Sequence, residues 1–172
     1  MLIGITGKAG SGKDTVADYL KASSNFRSIA FADPIRAGMK AIFGFDDRLF
    51  QHPDKEVILE EFGKSPRQMM QTLGTEWGRE SVNTDLWLIL AGIKVKALSA
   101  RGYNVAITDV RFENEAEYIR SSGGEIWHIQ RGVAGTKHVH TSEAGVGFVD
   151  GDLLIDNNGT LAQLYEQVDE YV

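Results

Sequence analysis

The 172-residue chain has no cysteine. That excludes disulfides, cysteine-ligated zinc, iron–sulfur clusters and thiol nucleophiles, and it suits a reducing compartment. It also has little proline, with three residues, and no Pro/Ser-rich linker, internal repeat or low-complexity tract. Long apolar runs are missing too. The longest, Leu86 to Ile93, is eight residues between Asp85 and Lys94, far short of the ~20 that span a bilayer. The start MLIGITG carries no basic leader, so a cytoplasmic protein without a signal peptide is expected. Nor is there a surplus of positive charge. The net charge is -6, and residues 138–172 hold seven carboxylates with no Lys or Arg. The first 137 residues carry 18 basic and 17 acidic side chains. Gripping a nucleic-acid polymer rests on neutralising its phosphates, so that class of partner is not expected. A local cationic pocket for a small phosphorylated ligand stays open.

What is present is glycine, 19 residues, several of them in one early cluster. Leu2–Thr6 reads as a buried strand stopped by glycine, and Asp14–Ala22 as a helix. Further strands are expected at Arg27–Phe31, Asn104–Thr108, Glu125–Gln130 and Asp152–Ile155. Helices are expected from Asp33-Pro34, from Ser65-Pro66, from Thr84-Asp85 to Gly102, over 112–122 and over Thr160–Tyr171. Residues 44–64 read as a helix-containing insertion and 131–147 as a flexible loop. Strands alternating with helices imply a parallel sheet covered on both faces, in an α/β fold. Ligands in such folds sit at the carboxyl ends of the strands. Those places are Gly7–Lys13, Ala32–Arg36, Asp109–Arg111, Arg131 and Asp156–Asn158.

Gly7-Lys8-Ala9-Gly10-Ser11-Gly12-Lys13 fits G-x-x-x-x-G-K between an expected strand and an expected helix. Glycines let the backbone curl so that N–H groups face phosphate oxygens, and the helix N-terminus adds its positive end. Asp14 stands where most such loops carry the Ser or Thr that touches magnesium, and Thr15 follows. Asp14 could bind the ion or cap the helix. No Asn-Lys-x-Asp base-reading motif of guanine-nucleotide switches occurs, and a helicase or motor domain would be longer. A small chain with cations in several loops suits phosphoryl transfer, which needs mainly positioning and charge neutralisation. Arg36, Arg67, Arg111 and Arg131 are the candidate phosphate ligands, because the guanidinium fork donates two parallel hydrogen bonds. Asp109 closes a strand where a carboxylate can serve magnesium or a substrate hydroxyl, or else cap the following helix. Trp77 is a base-stacking candidate, while its spacing with Met69, Met70 and Leu73 also fits core packing. His138, His140 and Glu143 lack the spacing that would fix a metal site, and Thr141-Ser142-Glu143 suits a capped turn better.

The blocks GKAGSGKDTVA, FADPIR, SPRQMMQTLGTEWGR, ITDVRFENEAE and HVHTSE together resemble the bacteriophage-type deoxynucleoside monophosphate kinases, over nearly the whole chain. The resemblance implies a single three-layer P-loop kinase domain, 1–172, with a five-stranded parallel sheet. It also implies a helical substrate-binding region over about 33–101 and a short lid over about 131–147. The implied reaction is ATP- and Mg2+-dependent phosphorylation of a deoxynucleoside 5′-monophosphate, in the host cytoplasm if phage-encoded. Residues 7–15 would hold the ATP phosphates, with Lys13, Asp109, Arg111 and Arg131 at or near the reaction centre. Asn157 and Asn158 would lie by the adenine. Asp33, Arg36, Arg67, Gln68, Gln71, Trp77 and Arg111 would face the monophosphate, and Asp14, Thr15 and Asp109 would serve the metal. The partners implied are small molecules, with neither nucleic-acid polymer nor membrane; a homodimer stays open. The competing readings are another small phosphate-loop kinase, acting on dephospho-coenzyme A or phosphomevalonate, and a nucleotide-binding protein without transfer activity.

Overall fold

A computed structural model describes residues 1–23, 25–132 and 146–172. Most of the expected lid, with His138, His140 and the Thr141-Ser142-Glu143 turn, lies outside the described residues. The chain forms two compact units, one of Met1–Ala30 with Ile93–Val172 and one of Phe31–Gly92.

The first unit is built on five strands: β1 (Leu2–Thr6), β2 (Phe26–Ile29), β3 (Asn104–Ile107), β4 (Glu125–Gln130) and β5 (Leu153–Asp156). Every pairing is parallel, in the order β2-β3-β1-β4-β5. β2 stops two residues before the expected Phe31, because its ladder partner β3 ends at Ile107. β5 starts one residue later than expected. Asp152 is drawn into a turn instead, its N–H donating to Val149 O at 3.0 Å.

Alternation along β1 sends Ile3 and Ile5 to one face and Gly4 to the other. On the first face, Ile3, Ile5, Ala106, Trp127, Ile129 and Ile155 pack with Val16, Ala17 and Leu20 of α1 (Lys13–Ser23). Leu164 and Val168 of the C-terminal helix (Leu161–Asp169) join them. Each fully buried large apolar side chain contributes about 1.5–3 kcal/mol, so this layer holds the β1–α1 turn to the sheet. Tyr19 stacks on Tyr165 at 3.9 Å and donates its hydroxyl to Asp169, tying the two helices together. On the opposite face Gly4 leaves room for Ile119, on a helix spanning Glu113–Ser121. The sheet is therefore covered on both faces, which explains its near-continuous apolar strands.

The second unit contains α2 (Asp33–Phe43), α3 (Pro66–Gln71) and the start of α4 (Leu86–Ser99); the sheet-unit helices that follow are α5 (Glu113–Ser121) and α6 (Leu161–Asp169). Asp33 lies inside the first turn of α2, with Ala32 at the cap. The region 44–64 holds only two short 3-10 turns, Asp47–Phe50 and Asp54–Glu56, and a bridge between Leu59 and Lys64. Its aromatic residues pack with each other and with the end of α2 instead, Phe62 lying 6.0 Å from Phe45 and 5.3 Å from Phe43.

The helix from Ser65-Pro66 does not stay α-helical. Over Thr72–Val82 it widens to π winding, ending with Asn83 N–H donating to Gly78 O. The buried indole of Trp87 gives a physical reason. Its Nε1 donates to Gly74 O at 2.7 Å, taking up a carbonyl of that stretch, and its ring lies where a side chain on Gly78 would stand. Only glycine at 78 permits that approach.

Candidate active site

The loop Gly7–Gly12 leaves the carboxyl end of β1 and enters α1 at Lys13, as the motif requires. Gly7, Gly10 and Gly12 hold positive φ, 103° at Gly12. Lys13 folds back over the loop, Nζ donating to the carbonyls of Gly7 and Lys8 at 2.7 Å each. Burial lowers its pKa from the ordinary lysine value; Asp14 pulls the other way, and the charge of Arg111 adds to the lowering. Arg111 therefore stands within electrostatic reach of Lys13, although 98 positions separate them in sequence. Ser11 is buried within the loop, and its Oγ has no partner among the described residues.

Asp109 and Arg111 follow β3, and Val110 between them donates its N–H to Ile5 O of β1. This bond carries the turn toward the strand that ends in the phosphate loop. Asp109 does not cap the next helix: Phe112 occupies that position. Glu115 does the capping, its Oε2 accepting from the N–H groups of Arg111 (2.8 Å) and Phe112 (3.1 Å). Glu115 is 2% exposed. Glu115 stands at the third helical position, where a capping carboxylate sits, but Phe112 at the cap lacks the Ser or Thr that would have flagged it in the sequence.

Arg131 follows β4, and the next N–H, of Gly132, donates to Asn158 Oδ1 at 2.8 Å. Asn157 donates its amide to Ser11 O in the phosphate loop at 2.7 Å. Both asparagines thus engage protein backbone. Three side chains missed in the sequence form a cluster at the amino end of β5. Asp152, with its side chain 2% exposed, accepts from Arg120 Nε and Nη2 (3.0 and 2.7 Å) and lies 3.0 Å from His128 Nε2. Burial alone would raise the Asp152 pKa; the hydrogen bonds from Arg120, the Val149 N–H and His128 outweigh it and lower it.

In the helical unit Arg36 donates to Asp33 at 3.1 Å, and Arg67 Nε pairs with Glu56 at 2.7 Å. Gln68 uses its side-chain oxygen to accept the Ser65 N–H at 2.9 Å, completing a capping box. Gln71 is exposed. Trp77 is 51% exposed, so the core-packing alternative does not hold; Trp87 and Trp127 are the buried tryptophans.

Among the described residues no three His, Cys, Asp or Glu side chains gather as a metal cluster. Magnesium asks for less, one or two carboxylates together with substrate phosphates. Asp14 and Thr15 in the first turn of α1, and Asp109 beyond β3, supply oxygen donors of that kind. Among the described residues no helix is long and apolar enough to cross a membrane.

The crystal structure of a sugar kinase from a Janibacter species superposes with a TM-score of 0.54 at 15% identity, covering 99% of this chain and 92% of that one. At that identity the likeness speaks for the fold alone. A putative deoxynucleotide monophosphate kinase of Acanthamoeba polyphaga mimivirus is 30% identical, over 98% of this chain and 94% of the relative. The deoxynucleotide monophosphate kinase of Enterobacteria phage T4 is 30% identical over 77% of this chain, which spans 59% of the phage protein. The deoxynucleoside-5'-monophosphate kinase of Escherichia phage T5 is 28% identical over 71% of this chain and 72% of the relative. The family model described as deoxynucleotide monophosphate kinase matches residues 40–168. That span includes the π-wound segment, the Asp109–Arg111 turn and the Asn157–Asn158 turn, so the chain belongs to the deoxynucleotide monophosphate kinase family.

Proposed function

We propose that this protein transfers the γ-phosphoryl group of ATP to the 5′-phosphate of a deoxynucleoside monophosphate. An acceptor phosphate oxygen attacks the γ-phosphorus, the bond to the β–γ bridging oxygen breaks, and ADP leaves. The observation that carries the reading is Lys13 folded over the glycine loop at the end of β1, with Arg111 in electrostatic reach. Residues 7–15 hold the donor phosphates, and Lys13, Arg111 and Arg131 neutralise charge as it spreads over the transferring group. Asp14, Thr15 and Asp109 are the residues that would hold Mg2+, which when bound screens the charge of the polyphosphate. We assign acceptor recognition to Asp33, Arg36, Arg67, Gln68, Gln71 and Trp77 together with Arg111. A monophosphate carries close to two negative charges near neutral pH, which calls for several cationic donors.

The test offers every common ribo- and deoxynucleoside monophosphate, with ATP and Mg2+, and identifies products by chromatography. Diphosphate formed from deoxynucleoside monophosphates supports the reading. Transfer only to dephospho-coenzyme A or phosphomevalonate, or ADP formation with no acceptor at all, would overturn it.

A further inference from the structure

Asn157 sits in the turn between β5 and α6, 146 positions from the loop it touches. Its backbone N–H donates to Gln130 O at 2.8 Å, fixing the turn against the end of β4. Its side-chain amide donates to Ser11 O at 2.7 Å. The same amide lies where a side chain on Gly12 would stand, so the Asn157 side chain packs against the Gly12 backbone as closely as glycine allows. The peptide joining Ser11 to Gly12 is planar and trans, so its carbonyl and its N–H point in opposite directions. A carbonyl drawn toward Asn157 therefore sends the Gly12 N–H the other way, away from β5. With φ at +103°, Gly12 has the freedom to let this plane turn over. A turned plane would put a carbonyl oxygen where the loop now presents a donor, and an anion would be repelled.

We infer that Asn157 is a positioning residue for the phosphate loop: its amide holds the Ser11–Gly12 peptide in the orientation that binds polyphosphate. This role differs from contact with the adenine, and it rests on the nucleotide-binding reading above.

Tripolyphosphate, which has no base, separates the two roles. Binding of tripolyphosphate, ATP and GTP is titrated on the wild type, Asn157→Ala and Asn157→Asp, with melting temperatures measured alongside. The carboxylate keeps the shape of the amide but cannot donate to Ser11 O. We expect both variants to lose about tenfold or more for tripolyphosphate and for ATP alike, with the ATP-to-GTP preference unchanged. In turnover assays KM for ATP should rise while KM for the monophosphate stays within about twofold. Unchanged tripolyphosphate affinity in both variants would overturn the inference, and a collapsed ATP-to-GTP preference with tripolyphosphate binding intact would return Asn157 to the adenine. A wild type that binds tripolyphosphate yet phosphorylates no monophosphate would sink the proposed reaction and leave the role of Asn157 standing.

Discussion

The buried carboxylate of Glu115 accepts the backbone N–H of Arg111 at 2.8 Å, so the turn leaving β3 is tied to the helix it enters. The same oxygen, Oε2, also takes the N–H of Phe112. Glu115→Ala removes both bonds and frees the turn that carries Arg111. Hydrogen bonds to charged groups contribute about 1.5–3 kcal/mol, so kcat should fall roughly 10- to 100-fold with KM for ATP little changed. Glu115→Gln retains an amide oxygen that can take both N–H groups, and it should recover most of the rate. Equal damage from both variants would mean that the charge itself, and not the bond geometry, is what matters.

Lys13 is the residue whose loss should stop transfer without unfolding the protein. It is half-buried at the start of α1 and bonds only loop carbonyls among the described residues. Lys13→Met should cost ~10²-fold or more in turnover while the melting temperature stays close to that of the wild type. A folded variant with near-normal turnover would refute the role.

Arg67 is paired with Glu56 at the surface of the helical unit, and both are largely exposed. Exposed pairs of this kind contribute only about 0–1 kcal/mol to stability, so Arg67→Ala should barely move the melting point. If Arg67 recognises the acceptor, the same change should weaken the monophosphate roughly 10- to 150-fold and leave ATP binding as it was. Separate titrations of the two ligands decide it.

Asp152 predicts a pH dependence of stability. Its folded-state pKa lies below the ordinary 3.8, so the stabilisation is present above that value and is lost as pH falls through the folded value. Asp152→Asn leaves Arg120 without its buried partner and should cost about 3 kcal/mol near neutral pH. Measured by denaturant unfolding, the gap between wild type and variant should stay level down to about pH 4 and narrow below it. A gap that did not narrow in acid would detach the effect from the carboxylate.

The pieces legible in the sequence are those made by neighbours along the chain. Leu2–Thr6, the glycine run and Lys13 form strand, loop and helix within a few residues, so motif and context could be read together. The capping box at Ser65 and Gln68, and the one at Thr160 and Gln163, are local in the same way. By contrast the π winding of Thr72–Val82 was not legible, because it accompanies an indole from residue 87 seated on Gly74 and Gly78. Trp77 read ambiguously for a related reason: its spacing fits an apolar stripe, but a wider helix turns its side chain off that stripe.

The sequence by itself determined that strands alternate with helices, that a phosphate loop follows the first strand, and that charged side chains follow the others. Backbone stereochemistry and apolar periodicity act over a few residues, and they suffice for that. Only the tertiary structure decided the strand order β2-β3-β1-β4-β5, and with it which strand ends become neighbours. Placing β3 and β4 on either side of β1 brings Arg111 within reach of Lys13, and pairing β5 with β4 delivers Asn157 to Ser11. These relationships join residues about a hundred or more positions apart. They depend on burying both faces of one sheet at once, a condition that no local stretch of sequence expresses.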